Sequence, residues 1–193
     1  MNTFIESDLR FEFPENWSVR KFDQTAAYRS LSGFGLKGVD FLCLAPAGDL
    51  WLVEVKNFQR RLGRAFTPRR GPDHIAKQVG KKFVDTGRLI RLMDRAMQRR
   101  WYGRLLWLWS RLWGGLSTAG HYGFWAEANR RVADPRRVVC LLWLELPDRE
   151  NDYLITVRDA VEEELEPGVR LVVAGSQTGE KLPFSVTPKA ATL

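Results

Sequence analysis

The segment from Lys37 to Asn57 constrains the fold most, because it sets three ionisable side chains, Asp40, Glu54 and Lys56, inside two apolar runs. Val39 to Leu44 and Leu50 to Val55 are rich in Val, Leu and aromatic residues, and Pro46-Ala47-Gly48-Asp49 between them is turn-forming. A β-hairpin is the expected result. Its strands are apolar on both faces, as in strands at the centre of a sheet, where a carboxylate or an ammonium group is costly unless another group compensates it. Glu54 and Lys56 are two residues apart and project from one face. With a loop of Ala45 to Asp49, Leu44 pairs with Leu50 and Asp40 falls opposite Glu54 on that face. With a loop one residue shorter, Asp40 falls on the other face, and both registers are open at this level. The first register gathers two carboxylates and an ammonium group. Such a cluster can hold a hard divalent cation on oxygen ligands, with the lysine left to orient or activate a water.

At these residues the chain resembles the PD-(D/E)xK nuclease superfamily, the restriction-endonuclease-like enzymes. Its signature is an Asp early in a hairpin, then Glu or Asp, any residue, and Lys on the next strand. Here that reads Gly38-Val39-Asp40 followed by Val53-Glu54-Val55-Lys56, with Val39 where the superfamily often has Pro. The resemblance covers roughly Trp17 to Leu146. It implies that Asp40 and Glu54 ligate Mg²⁺ or Mn²⁺, that the Val55 backbone carbonyl adds a ligand, and that Lys56 positions the attacking water. Gln78 and Lys82 stand where resembling nucleases often keep a further polar or basic residue, and Asp23, ahead of Glu6 and Glu15, is the N-terminal acid that could join the site. The competing reading of the cluster is a buried ion pair without chemistry. Buried pairs are a weak source of stability, which leaves them in need of another reason.

Charge distribution supports a polyanionic substrate. From Lys56 to Arg104 the chain carries 15 Lys or Arg against 3 Asp, while the net charge of the whole is +7. Arg60, Arg61 and Arg64 in the loop after the hairpin, with Lys77, Lys81 and Arg88 on the helix that follows, are the candidate nucleic-acid contacts. A solvated surface is the ordinary meaning of such a run, and its adjacency to a candidate metal site is what favours nucleic acid, DNA in particular. Other chemistries find less support. The two histidines, His74 and His121, make no zinc-type spacing, and Gly33 and Gly35 lack the third glycine and flanking elements of a dinucleotide fingerprint. Cys43 and Cys140 sit in apolar runs and are expected to stay thiols in a reducing cytoplasm; the first residues show no signal-peptide pattern.

With 193 residues and 45% hydrophobic content, one domain with room for an insertion is expected. Residues 1–16 read as an irregular or partly helical lead-in, and Trp17 to Phe22 as a first strand. Gly71-Pro72-Asp73 is helix-start chemistry, followed by apolar residues at Ile75, Val79, Phe83, Ile90, Met93 and Met97 on one helical face. Val138 to Leu146 reads as a buried strand, Thr156 as the cap of an acidic surface helix ending before Pro167-Gly168, and Val169 to Ala174 as a last strand with a loosely held tail. The expected fold is α/β, a mixed β-sheet with helices on its faces and a helical insertion over about 98–134. That insertion holds Trp101, Trp107, Trp109 and Trp113, interrupted by Arg104 and Arg111 too soon for the roughly 20 apolar residues of a membrane span. It needs a cover, expected from the fold itself or from a second copy of the chain in a homodimer, ahead of a membrane interface. The expected function is that of a cytoplasmic metal-dependent nuclease. The alternatives are a catalytically inactive nucleic-acid-binding protein of the same fold and a membrane-surface or assembly protein built on the tryptophans.

Overall fold

The computed structural model describes residues 1–25, 28–29, 35–58, 71–99, 120–146 and 151–189. In chain order the elements are β1 (Asn2–Glu6), β2 (Leu9–Phe13), β3 (Ser18–Lys21), a 3₁₀ turn (Phe22–Gln24), β4 (Phe41–Leu44), β5 (Leu50–Asn57), α1 (Pro72–Arg99), α2 (His121–Val132), a second 3₁₀ turn (Pro135–Arg137), β6 (Val138–Glu145), α3 (Asn151–Glu162), β7 (Arg170–Ala174) and β8 (Ser185–Pro188). The class is mixed α/β.

Five strands form the main sheet in the order β3-β4-β5-β6-β7. The pairs β3–β4 and β4–β5 are antiparallel, while β5–β6 and β6–β7 are parallel, as connections running through α1, α2 and α3 allow. In the central hairpin Leu44 pairs with Leu50 and Phe41 with Val53. This is the register of the longer loop; just before β4 the Asp40 N–H turns to the Val53 carbonyl, which keeps Asp40 against β5. Arg131 of α2 fastens the turn: its guanidinium donates to the carbonyls of Ala45 (2.7 Å) and Asp49 (2.6 Å).

The two faces of this sheet are covered differently, which corrects the expectation of helices on both. Leu42, Leu44, Leu50, Leu52, Cys140 and Leu142 pack under all three helices, with Ile75, Val79, Phe83 and Ile90 of α1, Phe124 and Trp125 of α2 and Val157 and Val161 of α3. The opposite face, with Phe41, Cys43, Trp51, Val53, Leu141 and Trp143, is sealed by a second, antiparallel sheet of order β1-β2-β8. Both cysteines are free and buried, and burial pushes both thiols up, so they stay neutral.

The second sheet overturns two expectations. Residues 1–16 are not an irregular lead-in but a hairpin whose two-residue loop, Ser7-Asp8, takes positive φ at both positions (50° and 62°). That turn matches strand twist, yet Ser-Asp is not the Asn-Gly type that advertises it. Likewise the tail is not loose, since β8 pairs with β2 and Phe184 is buried against Phe13, Trp17 and Trp51. A partner so distant in sequence leaves only a short alternating trace to read. The third helix also starts earlier than expected, at Asn151, because Thr156 is no cap; its hydroxyl donates to the Asp152 carbonyl one turn back. Of the insertion, α2 is described and its inner residues are fully buried; Trp101, Trp107, Trp109 and Trp113 lie outside the described residues. Among the described residues no helix is long and apolar enough to cross a membrane.

Candidate active site at the end of the central hairpin

β5 carries alternate residues to opposite faces, so Leu50, Leu52, Glu54 and Lys56 look toward the helices while Trp51, Val53 and Val55 look toward the small sheet. Glu54 is fully buried. Its Oε1 meets Lys56 Nζ at 2.6 Å, and Lys82 Nζ of α1 lies 2.7 Å from Oε1 and 2.8 Å from Oε2. Two ammonium groups therefore face one carboxylate, and Lys82 hydrogen-bonds both of its oxygens.

Asp40 stands where β4 begins. Its carboxylate accepts the Val55 N–H at 2.7 Å, and its own N–H donates to the Val53 carbonyl at 3.0 Å. Val55 thus meets Asp40 through its N–H, with its side chain between the sheets. Burial pushes the Asp40 carboxyl up to about 7; the Glu54 charge adds to this, while Lys82 and the Val55 N–H hold it down. Lys82 is desolvated, which disfavours its charge, but Glu54 and Asp40 outweigh that and raise its pKa.

The approach to Asp40 is gripped by α1. Thr86 Oγ1 accepts the Val39 N–H (3.1 Å) and donates to the Lys82 carbonyl (2.7 Å), and the buried Asp85 accepts the Lys37 N–H (3.2 Å). Between these contacts lies Gly38, where a Cβ would run into the Phe22 ring. Sequence reasoning passed over Thr86 and Asp85. The available signal was two polar residues on the apolar face of a helix, next to Lys82.

A second ion pair borders the site. Lys21 Nζ lies 2.7 Å from Glu6 and 3.2 Å from the Ile5 carbonyl, and Glu6 is close enough to help raise Asp40. Asn57 at the end of β5 donates to the Ser7 carbonyl (2.7 Å), which ties the β1–β2 turn over this end of the sheet. The N-terminal acid near the site is thus Glu6. Asp23 is exposed and acts on Lys21, and Glu15 is held by the terminal amine.

The remaining candidates are dispersed. Gln78 is exposed, its amide 2.9 Å from the His74 ring. Lys77, Lys81 and Arg88 are exposed and share one stripe, roughly 100–140° around α1 from Lys82 at 100° per residue. They form the outer face of the helix. Arg60, Arg61 and Arg64 lie outside the described residues.

Among the described residues no group of three or more His, Cys, Asp or Glu stands in metal-holding geometry. A donor set of two carboxylates nevertheless suits Mg²⁺ or Mn²⁺, since Mg²⁺ keeps several waters and is commonly held by one or two carboxylates together with substrate phosphates. The raised Asp40 carboxyl fits as well, because two acids that oppose each other's ionisation are relieved by a dication. No family model matches the chain, and no curated protein or solved structure does.

Proposed function

We propose that this chain is a metal-dependent phosphodiesterase that cleaves DNA at the Asp40–Glu54–Lys56 cluster. The observation that carries the reading is the pairing of two carboxylates from adjacent strands, at one end of the sheet, with Lys56 and Lys82 on the more buried of them. A cluster that served stability alone would be a poor choice, since well-packed apolar residues commonly serve as well or better than buried ion pairs. Asp40 and Glu54 would hold Mg²⁺ or Mn²⁺, with the Val55 carbonyl as the further ligand that the PD-(D/E)xK resemblance implies. When bound, the ion supplies Lewis acidity at the phosphoryl oxygens and lowers the pKa of water. Lys56, partly exposed beside Glu54, orients the water and offsets charge developing on the phosphate. Neighbouring basic residues add non-specific phosphate contacts.

The experiment is a cleavage assay on circular, linear and single-stranded DNA with Mg²⁺, Mn²⁺ or chelator. Metal-dependent cleavage that disappears in Asp40→Asn, Glu54→Gln and Lys56→Ala supports the reading. Cleavage that persists in all three moves the site elsewhere, and DNA binding without any cleavage makes the chain a silent nucleic-acid binder.

A further inference from the structure

Lys82 holds Glu54 in a way that Lys56 does not. Lys56 Nζ lies 2.6 Å from Oε1, whereas Lys82 donates hydrogen bonds to both Oε1 and Oε2 and interacts electrostatically with Asp40 as well. It comes from a different element, α1, while Lys56 shares a strand with Glu54. A cation entering between Asp40 and Glu54 therefore meets Lys82 and can leave Lys56 in place on Oε1. With both acids ionised, Asp40, Glu54, Lys56 and Lys82 sum to zero charge, and the adjacent Glu6–Lys21 pair is neutral too. A dication added to that set leaves an excess of positive charge, and Lys82 loses its partner at the same moment.

We propose that Lys82 is a built-in counter-ion that the divalent cation displaces, and that the released ammonium group is taken up by a phosphate of the DNA, so that metal and polyanion bind cooperatively. This deepens the nuclease reading and rests on it. The site would favour metal only when substrate is present, since the phosphates supply the negative charge that the neutral four-residue set lacks. By linkage, metal must raise DNA affinity by the same factor as DNA raises metal affinity.

The test measures Mn²⁺ binding to the full chain by the electron paramagnetic resonance signal of free Mn²⁺, with and without a phosphorothioate DNA duplex. For the parent protein, the duplex should tighten Mn²⁺ binding by about tenfold or more. Lys82→Met should bind Mn²⁺ about tenfold more tightly without DNA and show a coupling several-fold weaker than the parent's, while Lys56→Met keeps the parent's coupling. Lys82→Gln serves the same comparison if Lys82→Met does not fold, as judged by circular dichroism. Mn²⁺ affinity unchanged by either Lys82 substitution, with binding lost in Glu54→Gln, would overturn the counter-ion role and leave the nuclease reading standing. Absence of Mn²⁺ binding by the parent and by both Lys82 variants, with or without DNA, would overturn the metal site itself.

Discussion

Glu54 and Glu145 stand near the carboxyl ends of neighbouring strands, β5 and β6, and are 0% and 2% exposed. Among the described residues their partners differ in kind. Glu145 looks to the small-sheet side and accepts from neutral donors: the Trp143 indole N–H (2.9 Å), the Ser176 N–H (3.0 Å) and the Ser176 hydroxyl (2.6 Å). It ties β6 to the loop after β7. Glu54 looks to the helix side and faces two ammonium groups, with the Asp40 carboxylate on the neighbouring Val55 N–H. Burial is common to both, and so cannot mark a functional acid. On the proposed reading the distinction is the company of mobile charges, which a ligand can rearrange, where fixed dipoles only hold a carboxylate in place.

The sharpest way to break this comparison is to neutralise each acid in turn. Glu54→Gln should lower metal-dependent cleavage by about 10³-fold or more, and Glu145→Gln should leave it within about twofold, in single-turnover assays. Similar losses for the two would show that both act only through the fold. The basic stripe separates local from diffuse charge. Replacing Lys77, Lys81 and Arg88 together by Ala should weaken DNA binding at low salt and reduce the log–log salt slope by about 1 to 3, with the single-turnover cleavage rate of bound DNA retained. An unchanged slope would remove the outer face of α1 from the binding surface.

Stability changes are smaller. Glu145→Gln should cost about 1–2 kcal/mol in urea unfolding, because it disturbs satisfied hydrogen bonds. Thr86→Val leaves the Val39 N–H without its acceptor and should cost about 1–3 kcal/mol, with a fall in cleavage as the Asp40 backbone shifts. The remaining effect concerns pH. Asp40 is raised from 3.8 to about 7 in the folded chain, so between these values the native state binds more protons than the unfolded one. The stability it contributes is full below about pH 4 and lost as pH rises through about 7. In metal-free buffer, Asp40→Asn should flatten the decline of the urea midpoint over that window relative to the parent, and an identical decline would assign it to other groups.

Much of the site was legible because its logic is local. Glu54 and Lys56 share a face by the period of a strand, and the turn Pro46-Ala47-Gly48-Asp49 left only two registers, of which the structure has the one that pairs Leu44 with Leu50. The strand β6 and the apolar face of α1 followed from composition and a 3.6-residue period. What escaped was non-local. Glu145 lay hidden in a nine-residue apolar run, because its donors include Ser176, which reaches it only after β7 joins the sheet.

By itself the amino-acid sequence determined the central hairpin, the shared face of Glu54 and Lys56 and the helix that follows, since each depends on contacts within a few residues. Tertiary structure alone decided that Lys82 would bridge both oxygens of Glu54, 28 residues away. It also decided that Thr86 would hold the approach to Asp40, and that the two ends of the chain would meet as β2 and β8 to close the other face. The physical reason is the same in each case. A side chain's rotamer and a strand's partner are chosen by which surfaces remain uncovered once the sheet has formed, and no local period records that choice.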